Sequence, residues 1–70
     1  MYIITLMKDN VNSTFSLDGK ILSLEVINVP RMFQFTSEAK AYLLRYVENN
    51  PDFNYNYNFT DVTFIKDGEA

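Results

Sequence analysis

Seventy residues with a net charge of −3, no cysteine and no histidine bound this chain to one small domain and remove much familiar chemistry. Without those two residue types there is no thiol nucleophile, no ordinary general base near neutral pH and none of the commonest zinc ligands. The acidic balance also opposes binding to nucleic acid or anionic membranes, and the six basic residues form no run.

Residues Tyr2 to Met7 carry apolar side chains on both faces of a two-residue period, which predicts a central strand. This apolar run gives way at once to Lys8-Asp9-Asn10, and it is too short for a signal-peptide core or a membrane span, so the expected location is cytoplasmic. Lys8 to Ser13 reads as a polar loop. Its oxygen-bearing side chains would suit calcium, but the glycine and closing glutamate of an EF-hand loop are missing. Thr14 to Leu17 follows as a short strand with Phe15 and Leu17 on one face. Asp18-Gly19 then predicts a two-residue hairpin turn, since both residues tolerate positive φ. The partner strand is expected over Lys20–Ile27, with Leu22, Leu24 and Val26 turned inward.

Asn28 to Arg31 breaks that strand, and Met32 to Phe35 brings bulky side chains to the foot of a helix expected over Phe35–Glu48. There Ala39, Tyr42, Leu43, Tyr46 and Val47 recur at i, i+3, i+4, i+7 and i+8, the spacing of one helix face. Thr36 is the expected N-cap, Phe35 the expected hydrophobic staple, and Asn49-Asn50-Pro51 the stop, with Asn in a left-handed cap. Leu44 falls outside the core-facing arc.

From Phe53 to Phe59 ring and amide alternate without exception, which predicts a strand with one aromatic face. Asn has low strand propensity, so packing or cross-strand pairing of the rings must hold the segment extended. Val62 and Phe64 fall out of phase with these rings, and a bulge or turn near Thr60-Asp61 would account for the slip. Asp67 to Ala70 reads as a polar, frayed tail to a single domain spanning 1–70.

The sum is an α+β fold of order β-β-β-α-β, a small antiparallel sheet with one amphipathic helix on a face. The strand after the helix is expected beside the first. Six Phe and five Tyr are hard to bury completely in so short a chain, so some rings should face solvent, a second copy or a partner. Tyr55, Tyr57, Asn54, Asn56 and Leu44 form the candidate interaction surface, because Tyr and Asn supply rigid contact area and adaptable hydrogen bonds. A carboxylate pair such as Asp52 with Asp61, or Glu25 with Glu48, could serve an enzyme or ligand binder, but Asp and Glu are ordinarily solvated surface residues. The expected protein is therefore no enzyme and carries no cofactor or metal.

The Asn-rich composition, the opening Tyr2-Ile3-Ile4 strand and Phe35-Thr36-Ser37-Glu38-Ala39 leading into an amphipathic helix resemble small accessory proteins of bacteriophages and other mobile elements. That resemblance implies a module that binds another protein, blocking or redirecting a protein of the host cell. A structural role through self-association, as a homodimer for example, is the alternative, and a carboxylate-based binder or enzyme the third.

Overall fold

The computed structural model describes residues 1–62 as four strands and one helix: β1 (Tyr2–Lys8), β2 (Val11–Phe15), β3 (Ile21–Ser23), α1 (Thr36–Asn49) and β4 (Asn56–Asp61). The sheet is antiparallel in the order β3-β2-β1-β4, so β1 is central and β4 lies beside it, as the sequence predicts. The tail expected at 67–70, together with Phe64 and Ile65, lies outside the described residues.

The tight hairpin sits elsewhere than expected. Lys8 pairs directly with Val11, leaving Asp9 and Asn10 as a two-residue turn with φ of 53° and 66°. Asp and Asn accept this left-handed region better than other non-glycine residues, and the primed turn matches the strand twist. The polar stretch from Lys8 to Ser13 is thus mostly strand, and β2 begins at Val11 instead of Thr14. Asp18-Gly19 does join β2 to β3, but within the five residues 16–20, narrowed to a three-residue loop by Ser16 N–H donating to Lys20 O at 2.7 Å. Gly19 N–H donates to Ser16 O at 3.0 Å, and Gly19 takes the positive φ of 85° that follows such a turn. Ser16 also donates its hydroxyl to Asp18, which holds that exposed carboxyl below its ordinary pKa. Leu17 consequently lies on the exposed loop and does not share the face of Phe15.

The predicted strand over 20–27 shrinks to three residues, and its inward set is reversed. Phe15 stands opposite Ile21, so Ile21 faces the core, and Leu22 takes the opposite face. Leu24 is exposed, and Val26 lies in a turn closed by bonds from Val26 and Ile27 N–H to Ser23 O.

The connector Pro30–Phe33 does more than pack. β1 and β2 pair only from Leu6, Met7 and Lys8 to Ser13, Asn12 and Val11. Beyond that they part, and the connector enters the gap. Tyr2 and Phe33 exchange backbone bonds of 2.7 and 2.8 Å, and Arg31 N–H donates to Phe15 O at 2.8 Å. Arg31 also reaches Leu17 O and stacks its guanidinium 4.9 Å from the Tyr42 ring centroid, tying the loop and connector to the helix.

The helix buries the predicted face: Ala39 and Leu43 are buried, with Tyr42, Tyr46 and Val47 packed against the core of Ile4, Leu6, Phe15 and Phe33. Its ends differ from expectation. Phe35 is the N-cap and Thr36 the first helical residue; Glu38 reaches back to accept from Gln34 and Phe35 N–H at 3.2 and 3.3 Å. This is the glutamate half of a capping box, while the Glu38 and Ala39 N–H groups that a Thr36 cap would have served donate to Phe35 O at 3.1 and 3.3 Å. Phe35 is 57% exposed and makes no staple. At the other end Asn50 has φ −136°, outside the left-handed region, and caps with its side-chain amide on Tyr46 O at 2.9 Å. Pro51 then prevents continuation.

β4 starts later than the ring–amide pattern, at Asn56, because Phe53 N–H bonds back to Asn50 O and keeps the chain in a turn. No bulge interrupts it: pairing with β1 runs unbroken from Met7 and Asn56 to Tyr2 and Asp61. The register continues one residue past both strands, with Val62 N–H donating to Met1 O at 2.8 Å.

Candidate functional site

The aromatic face predicted for residues 53–59 exists, but the structure divides it. Tyr57 and Phe59 stand opposite Leu6 and Ile4, on the helix side of the sheet, while Asn56 and Asn58 stand opposite Met7 and Thr5 on the other side. Phe53 and Tyr55 precede the strand and belong to a chain of rings over the sheet. In it Phe15 meets Tyr42 and Tyr46 edge-on at 5.1 and 4.9 Å, Tyr46 meets Phe53 at 5.9 Å, and Phe53 meets Tyr55 at 5.2 Å. Lys8 closes the chain with its ammonium 5.4 Å from the Tyr55 centroid.

Of the five candidate residues, Tyr55 is therefore half-buried and engaged, and Asn54 is exposed beside it. These two line a cleft of about 330 Å³ at the C-terminal end of α1, together with Lys8, Tyr46, Asp52 and Phe53. Asn56 is exposed on the opposite face of the sheet and lines a separate shallow cleft beside the Asp9-Asn10 turn. Tyr57 is 51% exposed and Leu44 is 54% exposed. The helical repeat sets Leu44 well away from Tyr42, whose ring leans on Phe15 of β2, so Leu44 lies on the flank of α1 turned from β2. The structure thus groups Tyr55 with Asn54, and leaves Tyr57 on the margin of the outermost strand.

That margin is an open edge. Among the described residues β4 is paired on one side only, by β1. Its six residues include one charged side chain, Asp61, which lies 3.7 Å from the N-terminal ammonium. β3 forms the opposite edge and is only three residues long. On the sheet face opposite the helix, Thr5 and Thr60 hydroxyls meet at 2.7 Å, and Leu22 and Met7 are exposed. Thr14 is fully buried there, and its hydroxyl has no hydrogen-bond partner among the described residues.

Asp52 and Asp61 occupy different places, and Glu48 does not line the cleft that Glu25 lines. Asp52 lines the cleft at the helix end, Asp61 sits beside the N-terminus, and Glu25 lines a cleft with Asn10 and Leu24. The two clefts, at the helix end and beside Leu24, are each lined by a single carboxylate. Among the described residues no group of three or more Asp and Glu is placed to hold a metal ion, and no helix is long and apolar enough to cross a membrane.

Sequence reasoning missed three contributors. Lys8 falls in a predicted loop, yet its place at the end of β1 puts it over Tyr55; Arg31 falls in a predicted break, yet it clamps the loop to Tyr42. Asn58 is exposed, as the alternation of ring and amide implies, and its side chain also accepts from the backbone N–H of Phe59, a role the alternation does not show. The sequence signal for Asn58 was present in the alternation, but its meaning depends on β4 being an edge. Compared with known protein families, curated proteins and solved structures, the chain shows no significant match.

Proposed function

We propose that the chain is a non-enzymatic protein-interaction module that binds and modulates a partner protein, in the manner of the phage-type accessory proteins it resembles acting on a host. The observation that carries this reading is the open edge of β4 with the half-exposed Tyr57 on it. An edge strand offers unpaired backbone groups to an extended segment of another protein, and a ring beside it supplies contact area at low entropic cost. Leu44 adds an apolar side chain on α1.

The test is affinity capture from a host lysate, followed by titration of the captured protein, purified, against wild type and a Tyr57→Ala/Leu44→Ala variant. Both side chains are exposed, so the variant should keep its fold. The expected result is at least about a tenfold loss of affinity, the size of a modest hot spot. Equal binding by both would move the surface away from β4.

Self-association is the second reading, favoured by the exposed Leu22, Leu24 and Val26 in and after β3. It predicts a discrete oligomer of the purified chain by light scattering, unchanged by Tyr57→Ala and lost with Leu22→Ser/Leu24→Ser.

A further inference from the structure

The asparagines of the ring–amide alternation play no part in the reading above, and one of them is bonded in a telling place. Val62 donates to Met1 O, so the bonded pairs with β1 recur at Thr60, Asn58 and Asn56. Tyr57, Phe59 and Asp61 therefore turn their backbone N–H and C=O groups to the open side of β4. The middle donor of the three is already taken: Phe59 N–H donates to Asn58 Oδ1 at 2.9 Å. Asn and Asp side chains are suited to such local bonds, which compete with a sheet ladder.

We propose that Asn58 guards this edge, keeping β4 from pairing with β4 of a second copy of the chain. The proposal goes beyond the partner-binding reading and holds whether or not a foreign protein docks at the same place. A second copy is the occupant to which the strand is otherwise matched. Outward backbone groups fall on odd-numbered residues, so two copies can pair antiparallel about a two-fold axis through Asn58. That register sets Tyr57 against Phe59 of the second copy, Asn56 against its Thr60, and Tyr55 against its Asp61. Rings meet rings, and the one charge of the strand meets no like charge, both favourable across a strand pair. The Asn58 cap works against this. An incoming carbonyl at Phe59 replaces a bond already made, so pairing gains nothing there and must also displace the amide.

The experiment is sedimentation velocity over a concentration series on wild type, Asn58→Val, Asn56→Val and Asn58→Val/Tyr57→Pro. Asn56 lies on the same face of the same strand, so its Val variant gains the same strand propensity and apolar surface without touching the cap. Pro at 57 removes an outward N–H and leaves the β1 ladder intact. The expected result is a monomeric wild type, a small effect of Asn56→Val, and self-association about thirtyfold stronger for Asn58→Val, the effect of about one hydrogen bond at each of the two symmetry-related Phe59 N–H groups, reversed by Tyr57→Pro. Association of Asn58→Val no stronger than that of Asn56→Val overturns the proposal. So does association that survives Tyr57→Pro, or a wild type that already pairs as strongly. If Asn58→Val precipitates, Asn58→Ala against Asn56→Ala makes the same comparison with less added strand propensity.

Discussion

Phe15 and Tyr57 are aromatic residues on the helix side of one sheet, in strands either side of β1, and they end in opposite environments. Phe15 is completely buried between the edges of Tyr42 and Tyr46, whereas half of Tyr57 is exposed and its aromatic neighbour is Phe59 at 5.7 Å. The difference is one of cover. A helix about 10 Å across spans roughly two strands spaced about 4.8 Å apart, so one helix cannot shelter a four-stranded sheet. Here α1 lies over β1 with its tyrosines turned to β2, and the outer strands are left at the margins. Two-residue periodicity assigns a side chain to a face; the width of the covering layer decides whether that face is dry.

The sharpest way to break this contrast is to truncate both rings. Phe15→Ala should cost roughly 3–5 kcal/mol, enough to leave so small a domain largely unfolded. Urea denaturation followed by circular dichroism would show it, and a loss under 1 kcal/mol would mean that the Tyr42 and Tyr46 contacts are not the core. Thr14→Val tests the buried side of the same strand from the opposite direction. Replacing this buried hydroxyl, which has no partner among the described residues, with a methyl group of similar shape should raise stability by about 1 kcal/mol; a decrease would mean that the hydroxyl has a partner in solution. Tyr57→Ala should change stability by no more than about 0.5 kcal/mol, the range of an exposed site. A larger loss in the same denaturation assay would make Tyr57 part of the core.

The smallest expected effect belongs to Asp18. The Ser16 hydroxyl lowers its pKa in the folded state, so this contribution is present above the unfolded carboxylate value of about 4 and fades as pH falls through the lower folded value. Asp18→Asn should flatten the pH dependence of the urea midpoint below about pH 4 and leave its dependence near neutrality alone. An unaltered slope in acid would remove the Ser16–Asp18 bond from the account.

Much of the fold was legible because it rests on short-range regularities. The i, i+3, i+4 recurrence from Ala39 to Val47 marked the buried helix face, the doubly apolar Tyr2–Met7 run marked the central strand, and Leu44 outside the stripe marked an exposed side chain. Candidate residues were harder, because their pattern is uniform and their environments are not. Nothing local distinguishes Tyr55, engaged by Phe53 and Lys8, from Tyr57 two residues on. The errors at β3 have a similar origin. Leu22, Leu24 and Val26 alternate as an inward set should, but the Phe15–Ile21 register selects the opposite phase.

The sequence by itself determined the element order, the helix face and the phase of the ring–amide strand, because steric periodicity and turn chemistry act over a few residues. Tertiary structure decided the rest. The insertion of Pro30–Phe33 between β1 and β2 depends on pairing between residues about thirty positions apart, as in the Tyr2–Phe33 bridge. The open edge at β4 likewise exists only once β1 has been paired on both sides, and the Asn58 amide becomes an edge cap only because, among the described residues, no further strand stands beyond β4.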